Sequence, residues 1–305
     1  MDAANESWVL RFFGVQEAEV CRTASGLAGR YGLTQVESRS QGAETLLALT
    51  APAQALHKAE ERLRRTFRAG LYGMGEQTLA DCTAQALVKN DRLLACGDPL
   101  ALDLLAPRLE GRAGIDQVFD FGAGSCKDPD TCARIEALVA QKAKGRADNP
   151  ADNLLRRLRA VLRVTRADLA AGALEAEGRT LVAVAGRKGS WLYLAGPSDN
   201  PALWLLDLIR RAADGSPQAP EVRFVRRGRK AGLRVDPAQA GEEPVLPAAR
   251  RRWPVRLALV LGVVALAGLA AALRFTDGNL AALPGMVQSM LEGSQLPAHS
   301  GAALL

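Results

Sequence analysis

Cysteine is the residue type with the most latent chemistry in this chain, at Cys21, Cys82, Cys96, Cys126 and Cys132. A thiolate can attack a carbonyl, form a disulfide or hold zinc, and the last two uses demand particular spacings or numbers. The cysteines are odd in number, none sits in a C-x-x-C pair, and only His57 and His299 could complete a tetrahedral set. Neither a metal site nor a disulfide framework is expected, and no cofactor is implied. The chain carries no Walker-type phosphate loop, no G-x-S-x-G and no H-E-x-x-H, so the common enzyme motifs are not visible. Gly29-Arg-Tyr-Gly32 has the G-x-x-G form that can clamp a nucleic-acid backbone, but glycines ending a helix give the same pattern, and the helix cap is preferred.

The net charge of +6 is local rather than general. Residues 226–256 hold nine arginines and lysines against Asp236, Glu242 and Glu243, a surplus equal to that of the whole chain. The rest is near neutrality, which removes the electrostatic footprint of a nucleic-acid binder and makes nucleic acid a disfavoured partner. Residues 1–7 lack the basic flank and apolar core of a secretory signal, and with the unpaired thiols this predicts a reduced, cytoplasmic body.

The elements that must position any site follow from periodicity. A β-rich run at 8–13, a helix over 15–31, strands at 33–38 and 44–50 and a helix from Pro52 to about residue 69 make a β-α-β-β-α unit. Beyond it a helix at 78–89, a short strand at 92–96, a helix at 100–109, a strand at 117–121, helices at 129–142 and 154–162 and strands at 180–185 and 190–195 predict mixed α/β structure. Asn200-Pro201 opens a final helix, whose Arg210 and Arg211 lie where positive charge complements the macrodipole. Residues 214–252, with Pro217, Pro220, Pro237, Pro244 and Pro247, read as a basic, proline-rich linker.

From Leu257 to Leu273 no side chain is polar, and helical rise gives the span roughly 25 Å. Trp253 at the interface and snorkelling Arg256 and Arg274 extend it, which predicts a single transmembrane helix over 253–275. Four arginines precede the span and one closely follows, so the bulk of the chain is placed in the cytoplasm and residues 276–305 outside.

Leu10-Arg-Phe-Phe-Gly-Val-Gln-Glu17 and Gly70-Leu-Tyr-Gly-Met-Gly-Glu-Gln-Thr-Leu79 together resemble the CinA family. The resemblance implies a KH-like linker domain over 7–72 and a nicotinamide-nucleotide amidase-like domain over 75–213, an α+β unit followed by mixed α/β. In that family an Ala-Glu-Ser-Cys-Thr-Gly-Gly segment follows the first strand of the amidase domain and supplies the presumed serine nucleophile. Gly97-Asp98-Pro99 and Leu102-Asp103 stand opposite it, with Pro99 at the serine and Leu102-Asp103 at the glycine pair. Proline has no hydroxyl to attack with, and larger side chains at the glycines would hinder close approach of a substrate. Residues 114–124 resemble a later family strand, but no tyrosine follows and Lys127 lies too early for the family's lysine. The family's Thr-Gly…Gly-Pro loop is not recognisable, residues 185–189 being at best its remnant.

Cys96, Ser125, Cys126 and Lys127 could replace the lost chemistry, but none has a general base identifiable in the sequence. The resulting expectation is a membrane-anchored, non-catalytic CinA-like binding or scaffolding protein. A divergent amidase with a relocated nucleophile and a membrane-tethered nucleic-acid adaptor are the alternatives. Expected partners are membrane lipid through the C-terminal helix, an unidentified protein and a second copy of the chain.

Overall fold

The computed structural model describes residues 4–120, 128–143, 149–176 and 178–233. The first unit runs β1 (Asn5–Phe13), α1 (Glu17–Tyr31), β2 (Gln35–Gln41), β3 (Glu44–Pro52), α2 (Ala53–Phe67), a 3-10 turn and β4 (Leu71–Met74). Its strands form one antiparallel sheet in the order β2-β3-β1-β4. Alternation sets the inner face: Thr45, Leu47, Leu49 and Ala51 of β3 are buried, while the residues between them are half-exposed. Val20, Ala24 and Leu27 of α1 and Leu56, Ala59 and Leu63 of α2 close over that face, each set spaced for one side of a helix. Gly32 ends α1 at φ 71°, its N–H bonded to the Ala28 carbonyl, so the G-x-x-G pattern is a helix end with Gly29 inside the helix.

The chain continues through α3 (Leu79–Lys89), β5 (Leu94–Cys96), α4 (Pro99–Leu109), α5 (Ile115–Val118), β6 (Phe119–Asp120), α6 (Pro129–Ala143) and α7 (Pro150–Thr165). It then runs β7 (Leu169–Ala176), β8 (Arg179–Ala185), β9 (Gly189–Ala195), α8 (Pro201–Asp214) and β10 (Arg223–Arg226). The strands make a mixed sheet in the order β10-β9-β8-β7-β5-β6, parallel across β7, β5 and β6 and antiparallel from β7 to β10. α3, α4 and α8 cover one face with Cys96, Ala171, Val182 and Val184, and α6 and α7 cover the other with Ala95, Ala170, Leu181 and Ala183. Burial on both faces is why these strands are small and apolar throughout rather than alternating. The fold is therefore mixed α/β, with a three-layer sandwich following the first sheet.

The structure extends one reading and corrects two. Arg210 and Arg211 do lie near the C-terminal end of α8, but their charge is spent on more than the helix dipole. Both are buried against Asp207, which accepts from Arg210 at 2.5 Å and Arg211 at 2.6 Å, and they carry α8 to the first unit by donating to the Ala69 and Phe13 carbonyls. Residues 214–233 are not linker: the Pro217 carbonyl accepts from Arg211, Gln218 donates to the Leu208 carbonyl, and β10 adds an edge strand along β9 with Val225 buried. Their prolines punctuate a path that these bonds hold to α8 and β9. Of the strand expected at 117–121, residues 117 and 118 belong to the short α5, Phe119–Asp120 form β6, and residue 121 lies outside the described residues.

The span 257–273 with Trp253, Arg256 and Arg274, and the linker and tail beyond residue 233, lie outside the described residues. Among the described residues no helix is long and apolar enough to cross a membrane.

Candidate functional site

In an open α/β sheet the crevice for a ligand lies beyond the carboxyl ends of parallel strands, where successive crossovers leave on opposite faces. Here that point is the end of β5. α4 leads away over one face toward β6, whereas α6 and α7 return over the other to β7 on the far side of β5. Gly97-Asp98-Pro99, singled out by the sequence, occupies this point.

Asp98 is the N-cap of α4, and Pro99 takes the first helical position, where its missing N–H costs nothing. One carboxylate oxygen accepts from the Ala101 N–H at 2.8 Å, and the other accepts from the Ala173 N–H of β7 at 3.0 Å. Burial pushes the Asp98 carboxyl above the usual carboxylate range, opposed by those two N–H groups and by nearby Arg157. The side chain thus ties strand to helix.

The backbone around it is also committed. The Gly97 N–H donates to the Ala171 carbonyl at 2.7 Å, and the Gly97 carbonyl accepts from Arg157, which is paired with Glu136 of α6. Two glycines bring α7 close. A Cβ on Gly97 would stand 2.4 Å from Leu158 Cδ2, and one on Gly172 would stand 2.7 Å from the same atom and 2.9 Å from Leu154 Cδ1. Leu158 is fully buried and Leu154 nearly so, and they fill the space that small residues leave at the end of β5 and in the middle of β7.

An amidase needs a nucleophile, a base to activate it and free donors for the oxyanion. Pro99 offers no nucleophile, both Asp98 oxygens already accept backbone hydrogen bonds, and the Gly97 N–H is taken. Leu102 packs against the core on the α3, α4 and α8 face, and Asp103 is exposed on α4. Cys96 has the opposite handicap, since it is fully buried in β5 and burial pushes its thiol far up, away from the reactive thiolate. Ser125, Cys126 and Lys127 lie outside the described residues.

Residues 185–189, read as a loop remnant, form the β8–β9 turn, with the Gly186 N–H bonded to the Gly189 carbonyl at 2.8 Å. Because β8 runs antiparallel to β7, this turn is at the opposite end of the sheet from Gly97. Among the described residues no group of three His, Cys, Asp or Glu is placed to hold a metal ion. Sequence reasoning missed Arg157 and the pair Gly172 and Leu158. Gly172 inside an apolar run was the available signal, since an isolated strand glycine marks a close approach.

No family model matches the chain. Proteins of Clostridium botulinum described as competence-damage inducible, those of strains Loch Maree and Langeland among them, are 31% identical over 125 residues, which is 39% of this chain and 31% of theirs. The matched stretch is thus about a third of those relatives' length. Among solved structures, a competence/damage inducible protein from Agrobacterium tumefaciens is 12% identical, with a TM-score of 0.34 over 45% of this chain and 94% of that one. A CinA superfamily protein from Klebsiella pneumoniae is 13% identical, with a TM-score of 0.33 and the same coverage. Overlaps that low leave the sequence relatives to support the resemblance to the CinA family.

Proposed function

We propose that this chain is a non-catalytic CinA-like protein that acts by binding, with its first four-stranded unit of the KH-like linker type and its three-layer sandwich an amidase-like domain that has lost its chemistry. One observation carries the reading: at the end of β5 the groups an amidase would use are spent on structure. Pro99 starts a helix, Asp98 fastens β7 to α4, the Gly97 N–H is bonded to β7, and Leu154 and Leu158 of α7 pack against Gly97 and Gly172. The apolar span 257–273 and its basic flank support tethering to a membrane with the body on the cytoplasmic side, where it would meet a partner protein or a second copy of itself.

The test is ammonia release from nicotinamide mononucleotide by the purified full chain. None above the uncatalysed background is expected. Turnover abolished by a single change within 97–103 would overturn the reading. Turnover indifferent to those changes but lost with Cys96, Ser125 or Lys127 would establish the divergent amidase instead.

A further inference from the structure

The opposite end of the six-stranded sheet holds a cleft of about 250 Å³ that none of the foregoing chemistry uses. Arg159 and Arg163 line it from the last turns of α7, Arg166 from just beyond that helix, Arg187 from the β8–β9 turn and Arg227 from just after β10. Asp168 is the acid among the lining residues, and it is already engaged by Arg187 at 3.2 Å, Arg92 at 3.5 Å and the Leu93 N–H at 3.3 Å. Among the described residues Arg163, Arg166 and Arg227 have no ion-pair partner, and Arg159 reaches only the Arg229 carbonyl at 3.3 Å.

Arginines near a helix C-terminus are ordinary, because they complement its dipole, and α7 could account for Arg163 in this way. It does not account for guanidinium groups arriving from the β8–β9 turn and from beyond β10 to line the same cleft, where like charges repel. Burial holds Arg159 below the usual guanidinium range, and Arg227 pushes it further in the same direction against the pull of Asp152. A multiply charged oxyanion would relieve this repulsion, and the planar fork of arginine matches phosphate oxygens in pairs. The volume lies just under the range of about 300–1,000 Å³ usual for small-molecule pockets, which suits a phosphate or diphosphate group better than a whole dinucleotide.

We propose that this arginine-lined cleft is a binding site for a phosphate-bearing group, either a free phosphate compound or the headgroup of an anionic lipid. The site lies at the far end of the sheet from Gly97 and is independent of whether the crevice there retains activity.

The experiment is calorimetric titration of the full chain at about 0.15 M salt, where surface charge is already screened. One arm uses inorganic pyrophosphate and the other a water-soluble short-chain phosphatidic acid. Saturable binding of either, weakened at least tenfold in the Arg163→Ala/Arg166→Ala variant, supports the site, and the tighter of the two identifies the source. Both side chains are exposed, so the variant should keep its melting temperature. Failure of both probes to bind, or equal binding by the variant, overturns the proposal.

Discussion

The two ends of the six-stranded sheet differ in what their side chains are left to do. Beyond the carboxyl end of β5, beside the middle of β7, the polar groups are consumed internally and two leucines occupy the space beside two glycines. At the amino end of β7, five arginines line an open cleft with one acid among them. The same helix, α7, serves both places, with Leu154 and Leu158 on its sheet-facing side and Arg159 and Arg163 in its last two turns. One α/β sheet can thus have its polar groups paired internally at one end and unpaired charge gathered at the other, so where a ligand binds has to be argued from the side chains and not from the fold alone.

The filled end of the sheet is most vulnerable at Leu158. Leu158→Ala removes a fully buried side chain and should destabilise the protein by about 2–5 kcal/mol in denaturant unfolding. A cost well under 1 kcal/mol would mean that the filled end is not packed as described. Gly172→Ala should cost about 1–3 kcal/mol through overpacking against Leu158 and Leu154. Combined with Leu158→Ala it should cost less than the sum, because the truncation makes room for the new methyl group, and strict additivity would show that the two positions do not meet.

Asp98→Asn retains one acceptor but cannot accept from both N–H groups, an expected loss of about 1 kcal/mol. Its pH dependence has a definite sign. The folded carboxyl is raised by burial, so its contribution to stability is complete below the ordinary carboxylate value of about 4 and is lost as pH rises through the raised folded value. The deficit of the variant should therefore be largest in acid and shrink toward neutral pH; a deficit that grows with pH would contradict the assignment. At the other end Arg163→Ala should change stability by less than about 0.5 kcal/mol, since the side chain is exposed and unpaired among the described residues.

Much of the fold was legible in the chain. The alternation in β3 and the Asn200-Pro201 start of α8 are local patterns with local causes, and each sits where periodicity or capping puts it. β7 was not legible, because Leu-Ala-Ala-Gly-Ala-Leu-Glu-Ala has low strand propensity and becomes a strand only through pairing with β5 and β8. That Pro99 offers no nucleophile could be read from residue type once the resemblance supplied the position. The uses made of Asp98 and Gly97 could not, since their partners Ala171, Ala173 and Arg157 lie 60 or more positions away. The arginine cleft was hidden for the same reason: α7, the β8–β9 turn and the segment after β10 meet only in the folded chain. Scanned linearly, Arg227 belonged to the stretch read as a basic, proline-rich linker.

The most direct test of the account is amide hydrogen exchange at Ala101 and Ala173, the two N–H groups held by Asp98, with and without saturating nicotinamide mononucleotide. If the crevice is structurally committed, both amides exchange slowly and at the same rate in the two conditions. A ligand-dependent change at either amide would show that the end of β5 still receives a nucleotide and would contradict the account.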